Sequence, residues 1–189
     1  MTEMRAAQLK EDLLALQVLG NDVASRILAD LPPSLLRRIV HATRVDWLPV
    51  ETYLELLSAI QPHAGDDGLR RWARAAVGRS IATSFFKPLV ETAIRLFGVS
   101  PASIFKVAPQ AWQQAFRGGG DLVVLGLGPG TCRVGLRDLP PHLGNRNFLV
   151  SIEGALEAPL DVCKVEGQVR LAPPSADLSA VFEGTWPQT

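Results

Sequence analysis

The order of patterns along this 189-residue chain predicts an α+β fold: an N-terminal helical layer followed by a β-β-α-β-β antiparallel sheet unit. Three observations predict it. Apolar residues recur at helical spacing from Leu9 to Phe116. After the run Gly118-Gly119-Gly120 the period changes to two. One further helical pattern, from Asn145 to Leu156, then lies between two pairs of strand patterns.

In the helical part, Leu9, Leu13, Leu16 and Val18 form an apolar stripe, and after Gly20 a second helix starts at Asn21 and carries Val23, Ile27 and Leu28. Pro32 and Pro33 punctuate it; Ser34 caps a third helix with Leu35, Leu36, Ile39 and Val40. Pro49 suits the first turn of a fourth, carrying Tyr53, Leu54, Leu57 and Ile60. The segment from Gln61 to Gly65 breaks the pattern, and a fifth helix begins near Asp66 or Asp67. A sixth draws its buried residues from Phe85, Phe86, Leu89, Val90, Ile94 and Leu96 and stops at Gly98. Ser100 and Pro101 open two short helices interrupted at Pro109 and ending at Phe116.

In the second part, Leu122 to Leu125 is apolar on both faces and reads as a central or interface strand. Gly128-Pro129-Gly130 turns it into a strand in which Cys132, Val134 and Leu136 alternate with Arg133, Gly135 and Arg137. Asn145 caps a helix whose Phe148, Leu149, Ile152, Ala155 and Leu156 lie on one side. Two more strands follow, Cys163 to Leu171 and Leu178 to Trp186. The expectation is a single domain, residues 1–189, with a helical part (1–117) and a sheet part (118–189).

Composition narrows the function classes. Hydrophobic content of 47% with 20% charged residues is ordinary for a folded protein. With 19 basic and 19 acidic residues the chain has no net field to draw it to nucleic acid. No apolar run approaches the roughly 18 residues of a membrane span, and the first residues lack the apolar core of a signal peptide. Two cysteines cannot make a disulfide scaffold, so a cytoplasmic location is expected.

The blocks Ala108-Pro109-Gln110-Ala111-Trp112, Phe116-Arg117-Gly118-Gly119-Gly120-Asp121-Leu122 and Ile152-Glu153-Gly154-Ala155-Leu156-Glu157 carry a resemblance. The chain resembles the haem-NO-binding and vinyl-reductase-type ligand-binding superfamily, and within it a myxobacterial branch; trafficking-complex subunits of the TRAPP type share that fold. The resemblance covers roughly residues 10 to 186. It implies a ligand-binding fold in which haem-binding members use a proximal histidine and a Tyr-x-Ser-x-Arg group. Here the single tyrosine, Tyr53, is followed by Leu54 and Glu55, and none of His41, His63 and His142 has a haem context. No cofactor is therefore expected.

The remaining motifs have structural readings. Gly126-Leu127-Gly128-Pro129-Gly130 is followed by a strand, not the helix N-terminus a nucleotide loop needs, so it reads as a hairpin turn. Cys132 and Cys163 read as core residues on apolar strand faces, and cannot alone fill a zinc shell. His63, Asp66 and Asp67 are ligating types in one segment, but an aspartate at a helix start is first a cap. Glu153 and Glu157 read as a solvated helix face rather than an acid/base pair.

No catalytic motif emerges, and the chain is not expected to be an enzyme. Arg70, Arg71, Arg74 and Arg79 on one helix are candidates for gripping an acidic partner, and Phe85, Phe86, Leu89 and Val90 for lining an apolar pocket. The leading expectation is a non-catalytic regulatory or scaffold module, homodimeric and acting through protein contacts. The alternative is a sensor that holds an apolar small molecule or acyl chain between helices and sheet, without haem.

Overall fold

The computed structural model describes residues 1–83, 85–173 and 177–188. The chain is α+β, as expected. It opens with a short strand, β1 (Glu3–Arg5), and a helix, α1 (Ala6–Ala15). After a 3-10 turn come α2 (Asn21–Asp30), α3 (Pro33–His41), β2 (Trp47–Pro49) and the long α4 (Glu51–Ala82). Then follow α5 (Lys87–Phe97), α6 (Pro101–Phe105), α7 (Ala108–Ala115) and β3 (Phe116–Arg117). The closing unit is β4 (Asp121–Gly128), β5 (Thr131–Arg137), α8 (Arg146–Val162), β6 (Gln168–Ala172) and β7 (Ala180–Thr185).

The break expected near Gly65 lies inside α4, where Gly65 takes φ 63° and ψ −173° and divides the helix into two runs. The Ser100 and Asn145 caps form as the sequence indicates: each side chain accepts the backbone N–H three residues on, at 3.1 and 3.0 Å. Gly130, at φ 73°, completes the tight turn between β4 and β5.

Antiparallel pairing puts the closing strands in the order β4-β5-β7-β6. Leu122, Leu136 and Ala180 face inward, as do Val134 and Phe182, and helices cover this face. The doubly apolar β4 is an edge strand, not a central one; its ladder with β5 shifts register between Val124 and Gly126, and Leu125 is 42% exposed. Cys163 also differs from expectation: it caps the C-terminus of α8, half-buried, and β6 starts only at Gln168. A second sheet, of order β2-β1-β3, was not legible in the pattern because its strands are two or three residues long.

The core is organised around α4, which packs on α1 and on α8. Gly154 makes the second contact possible: a Cβ there would lie 2.2 Å from the carbonyl oxygen of Arg70. Trp72, fully buried, ties α4 to α1 by donating its indole N–H to the Asp12 carbonyl at 2.8 Å. No described helix is long and apolar enough to cross a membrane.

Candidate functional site

The helices α5, α6 and α7 lie over α4 and α8 without filling the space between them. They line a half-open cavity of about 120 Å³ that also reaches Met4 of β1, Phe116 of β3 and Leu122 of β4. Its wall is almost wholly apolar. Three of the four residues expected in a pocket, Phe86, Leu89 and Val90, line it; Phe85 packs its ring against Phe86 at 4.4 Å and is not in the wall. The rest comes from residues that the sequence did not assign to a pocket, among them Val77, Ile104, Trp112 and Leu156.

Three polar side chains reach the wall: Gln8, Asp12 and Tyr53. Gln8 and Asp12 lie one turn apart on α1, on its buried side. Ser80 Oγ donates to Gln8 Oε1 at 2.7 Å, and Gln8 Nε2 donates to Asp12 Oδ1 at 2.8 Å. The second carboxyl oxygen, Asp12 Oδ2, has no hydrogen-bond partner although the residue is only 2% exposed. Burial, with a smaller contribution from the charge of Glu11 and against the pull of the Gln8 hydrogen bond, pushes Asp12 up to about 8. Burial therefore favours the neutral acid at pH 7. Tyr53 donates to Ser151 Oγ at 3.1 Å, and burial followed by the proximity of Asp12 drives its phenol far above the ordinary tyrosine range.

The Arg70 to Arg79 face has a different setting. Arg70 Nε donates to Glu153 at 2.6 Å and its Nη1 to Asp67 at 2.7 Å, while Arg74 grips Asp161 at 2.6 and 2.7 Å and reaches Glu157 at 3.2 Å. Arg79 reaches Glu11 at 3.2 Å, and Arg71 is exposed. Glu153 and Glu157 are accordingly buried, not a solvated face. Burial is possible because each carboxylate has an arginine and a backbone N–H to answer it.

The other candidate groups separate. Asp66 pairs with Arg146 and Asp67 with Arg70, whereas His63 Nε2 meets Asp30 at 2.6 Å. Among the described residues no three His, Cys, Asp or Glu side chains gather as a metal site. Burial raises Cys132 to about 11 and also raises Cys163, so neither thiol ionises readily at neutral pH.

Comparison with solved structures identifies the fold as that of H-NOX domains. An H-NOX protein from K. algicida, described as Fe(II) unliganded, matches with a TM-score of 0.64 at 12% identity, covering 98% of each chain. A single-substitution variant of the Tt H-NOX matches at 0.65 and 11% identity, over 98% of this chain and 96% of that one. An oxygen-binding H-NOX domain related to soluble guanylate cyclases matches at 0.62 and 10% identity, over 98% and 96%. No protein-family model and no curated protein matches the chain. Identities this low establish the architecture, and the resemblance noted from the sequence holds at that level.

Haem does not fit the residues present. The described cavity wall holds no histidine to ligate iron and no arginine to answer the carboxylates, and its volume suits a molecule far smaller than a porphyrin. His41 and His142 are exposed at the ends of other elements, and His63 pairs with Asp30. Tyr53, the wall's one phenol, is held as a neutral donor to Ser151, unsuited to iron as a phenolate.

Proposed function

We propose that this protein is a haem-free sensor module that binds a small apolar molecule in the cavity beneath α5, α6 and α7. The cavity itself carries the reading: about 120 Å³ of nearly apolar space between the helices. Cavities of roughly 150 Å³ lined by aliphatic and aromatic side chains stay dry and take up benzene or xenon. The shared architecture supports it, since one of the similar structures is an oxygen-binding domain. The wall offers one carboxylic acid and one phenol without a neighbouring base, which suits binding rather than turnover. Occupancy would be passed to a protein partner, a second copy of the chain included, through the helices that roof the cavity. Purified protein should take up no stoichiometric haem when titrated with haemin, and should gain thermal stability with benzene-sized hydrocarbons. A haemin titration ending at one equivalent with a sharp Soret band would overturn the reading, as would a melting temperature unmoved by every hydrocarbon probe. Native mass spectrometry of the same sample reads the mass of any dimer.

A further inference from the structure

The unpartnered oxygen of Asp12 is the one feature of the cavity that an apolar guest leaves unexplained. A buried polar atom without a partner costs about 1–3 kcal/mol, and this one belongs to a residue of the cavity wall. We propose that Asp12 selects the ligand: the cavity takes a neutral molecule of six to ten non-hydrogen atoms, roughly the size class of benzene-binding cavities, bearing an acceptor oxygen that receives a hydrogen bond from Asp12 Oδ2. The inference rests on the ligand-binding reading above and names the chemistry of its guest.

Hydrogen-bond direction supports the assignment. Gln8 turns its Oε1 to Ser80 Oγ, which also lies 3.2 Å from the Ala76 carbonyl, and its N–H₂ to Asp12 Oδ1. With Oδ1 accepting from Gln8, Oδ2 is the oxygen left to carry the proton of the acid. The groups facing Asp12 do not compete for it. Glu11 is occupied by Arg44 and Arg79 at 3.1 and 3.2 Å, Tyr53 donates to Ser151, and Trp72 donates to the backbone carbonyl of Asp12. An ammonium guest fits poorly, because its three N–H donors would meet one vacant oxygen in a wall that is otherwise apolar. A ketone, ether or hydroxyl oxygen needs only the donor that is there.

Three isosteric probes test this by calorimetry at pH 6.5: cyclohexanone, methylenecyclohexane and cyclohexylamine. The ratio of ketone to hydrocarbon affinity should fall about tenfold from the wild type to Asp12→Leu, and less in Asp12→Asn, which keeps an N–H donor. On the wild type alone, the same ratio should fall as pH rises to 9.5, where the carboxylate offers no proton; this arm stands even if a variant fails to fold. An unchanged ratio in both arms would overturn the assignment while leaving the cavity reading intact. Tightest binding by the amine would overturn it too. Failure of all three probes to bind would sink both readings together.

Discussion

Glu153 joins the sheet to the helical layer through a single carboxylate: Oε1 accepts the backbone N–H of Leu171 at 2.7 Å, and Oε2 accepts Arg70 Nε–H at 2.6 Å. Glu157, one turn on, does the same with the N–H of Val169 at 3.0 Å and Arg74 at 3.2 Å. Both N–H groups lie on the side of β6 facing away from β7, so α8 covers an edge that would otherwise offer free donors. Glu153→Ala would leave Arg70 without its carboxylate and the Leu171 donor unmet, and should cost about 2–3 kcal/mol in urea unfolding. Glu153→Gln, which keeps an acceptor, should cost less. Arg71→Glu, on the exposed side of α4, should stay within about 0.5 kcal/mol of the wild type. It is the variant that isolates any acidic partner from the fold.

The approach of α8 to α4 sets a steric test. At Gly154 even a methyl group would collide with the Arg70 backbone, which cannot swing aside as a side-chain tip would. Gly154→Ala should lower stability by about 1–3 kcal/mol, the range for forced overpacking, visible as a lower melting temperature. Gly78, also in α4, meets nothing within 4 Å of a built Cβ, and its φ is not in the left-handed region. Gly78→Ala should therefore raise stability by about 0.5–1 kcal/mol through a better helix propensity.

What the sequence made legible was local. The Asn145 and Ser100 caps, the Gly130 turn and the stop at Gly98 depend on neighbours a few residues away, and all four form. The inward turn of Glu153 and Glu157 depends on arginines from a helix far back in the chain, and by pattern alone such glutamates read as solvent-facing. Strand β4 misled for a related reason, since apolar residues on both faces do not distinguish a central strand from an edge bent by a bulge. The cavity was legible through Phe86, Leu89 and Val90, but not through Asp12, because an aspartate in a helix is ordinarily exposed. A signal did exist: Gln8 and Asp12, spaced i and i+4, flank the buried Leu9 and so share its side of the helix.

Asp12 should leave its mark on stability against pH. Its carboxyl is raised from 3.8 to about 8 on folding, so the folded chain holds a proton that the unfolded chain has released. The contribution is fully present below about pH 4 and is lost as pH rises towards 8, by up to about 1.4 kcal/mol per pH unit within that window. Wild type minus Asp12→Asn, measured by urea unfolding from pH 5 to 8, should decline by roughly 3 kcal/mol. A level difference would mean that Asp12 is ionised in the folded state, and the hydrogen-bond direction argued above would fail with it.

Filling the cavity separates ligand binding from the fold. Ala111 of α7 lies in the wall, half-buried, with the empty space in front of its methyl group. Ala111→Leu places three further carbons there, where cavity filling commonly adds about 0.5–2 kcal/mol of stability. The variant should melt at or above the wild-type temperature, yet lose the stabilisation that methylenecyclohexane and cyclohexanone confer on the wild type. Loss of both probes with an unimpaired melt would locate the guest beneath α7. Undiminished binding would place it elsewhere on the protein, because a leucine at this position and a six-membered ring cannot share about 120 Å³.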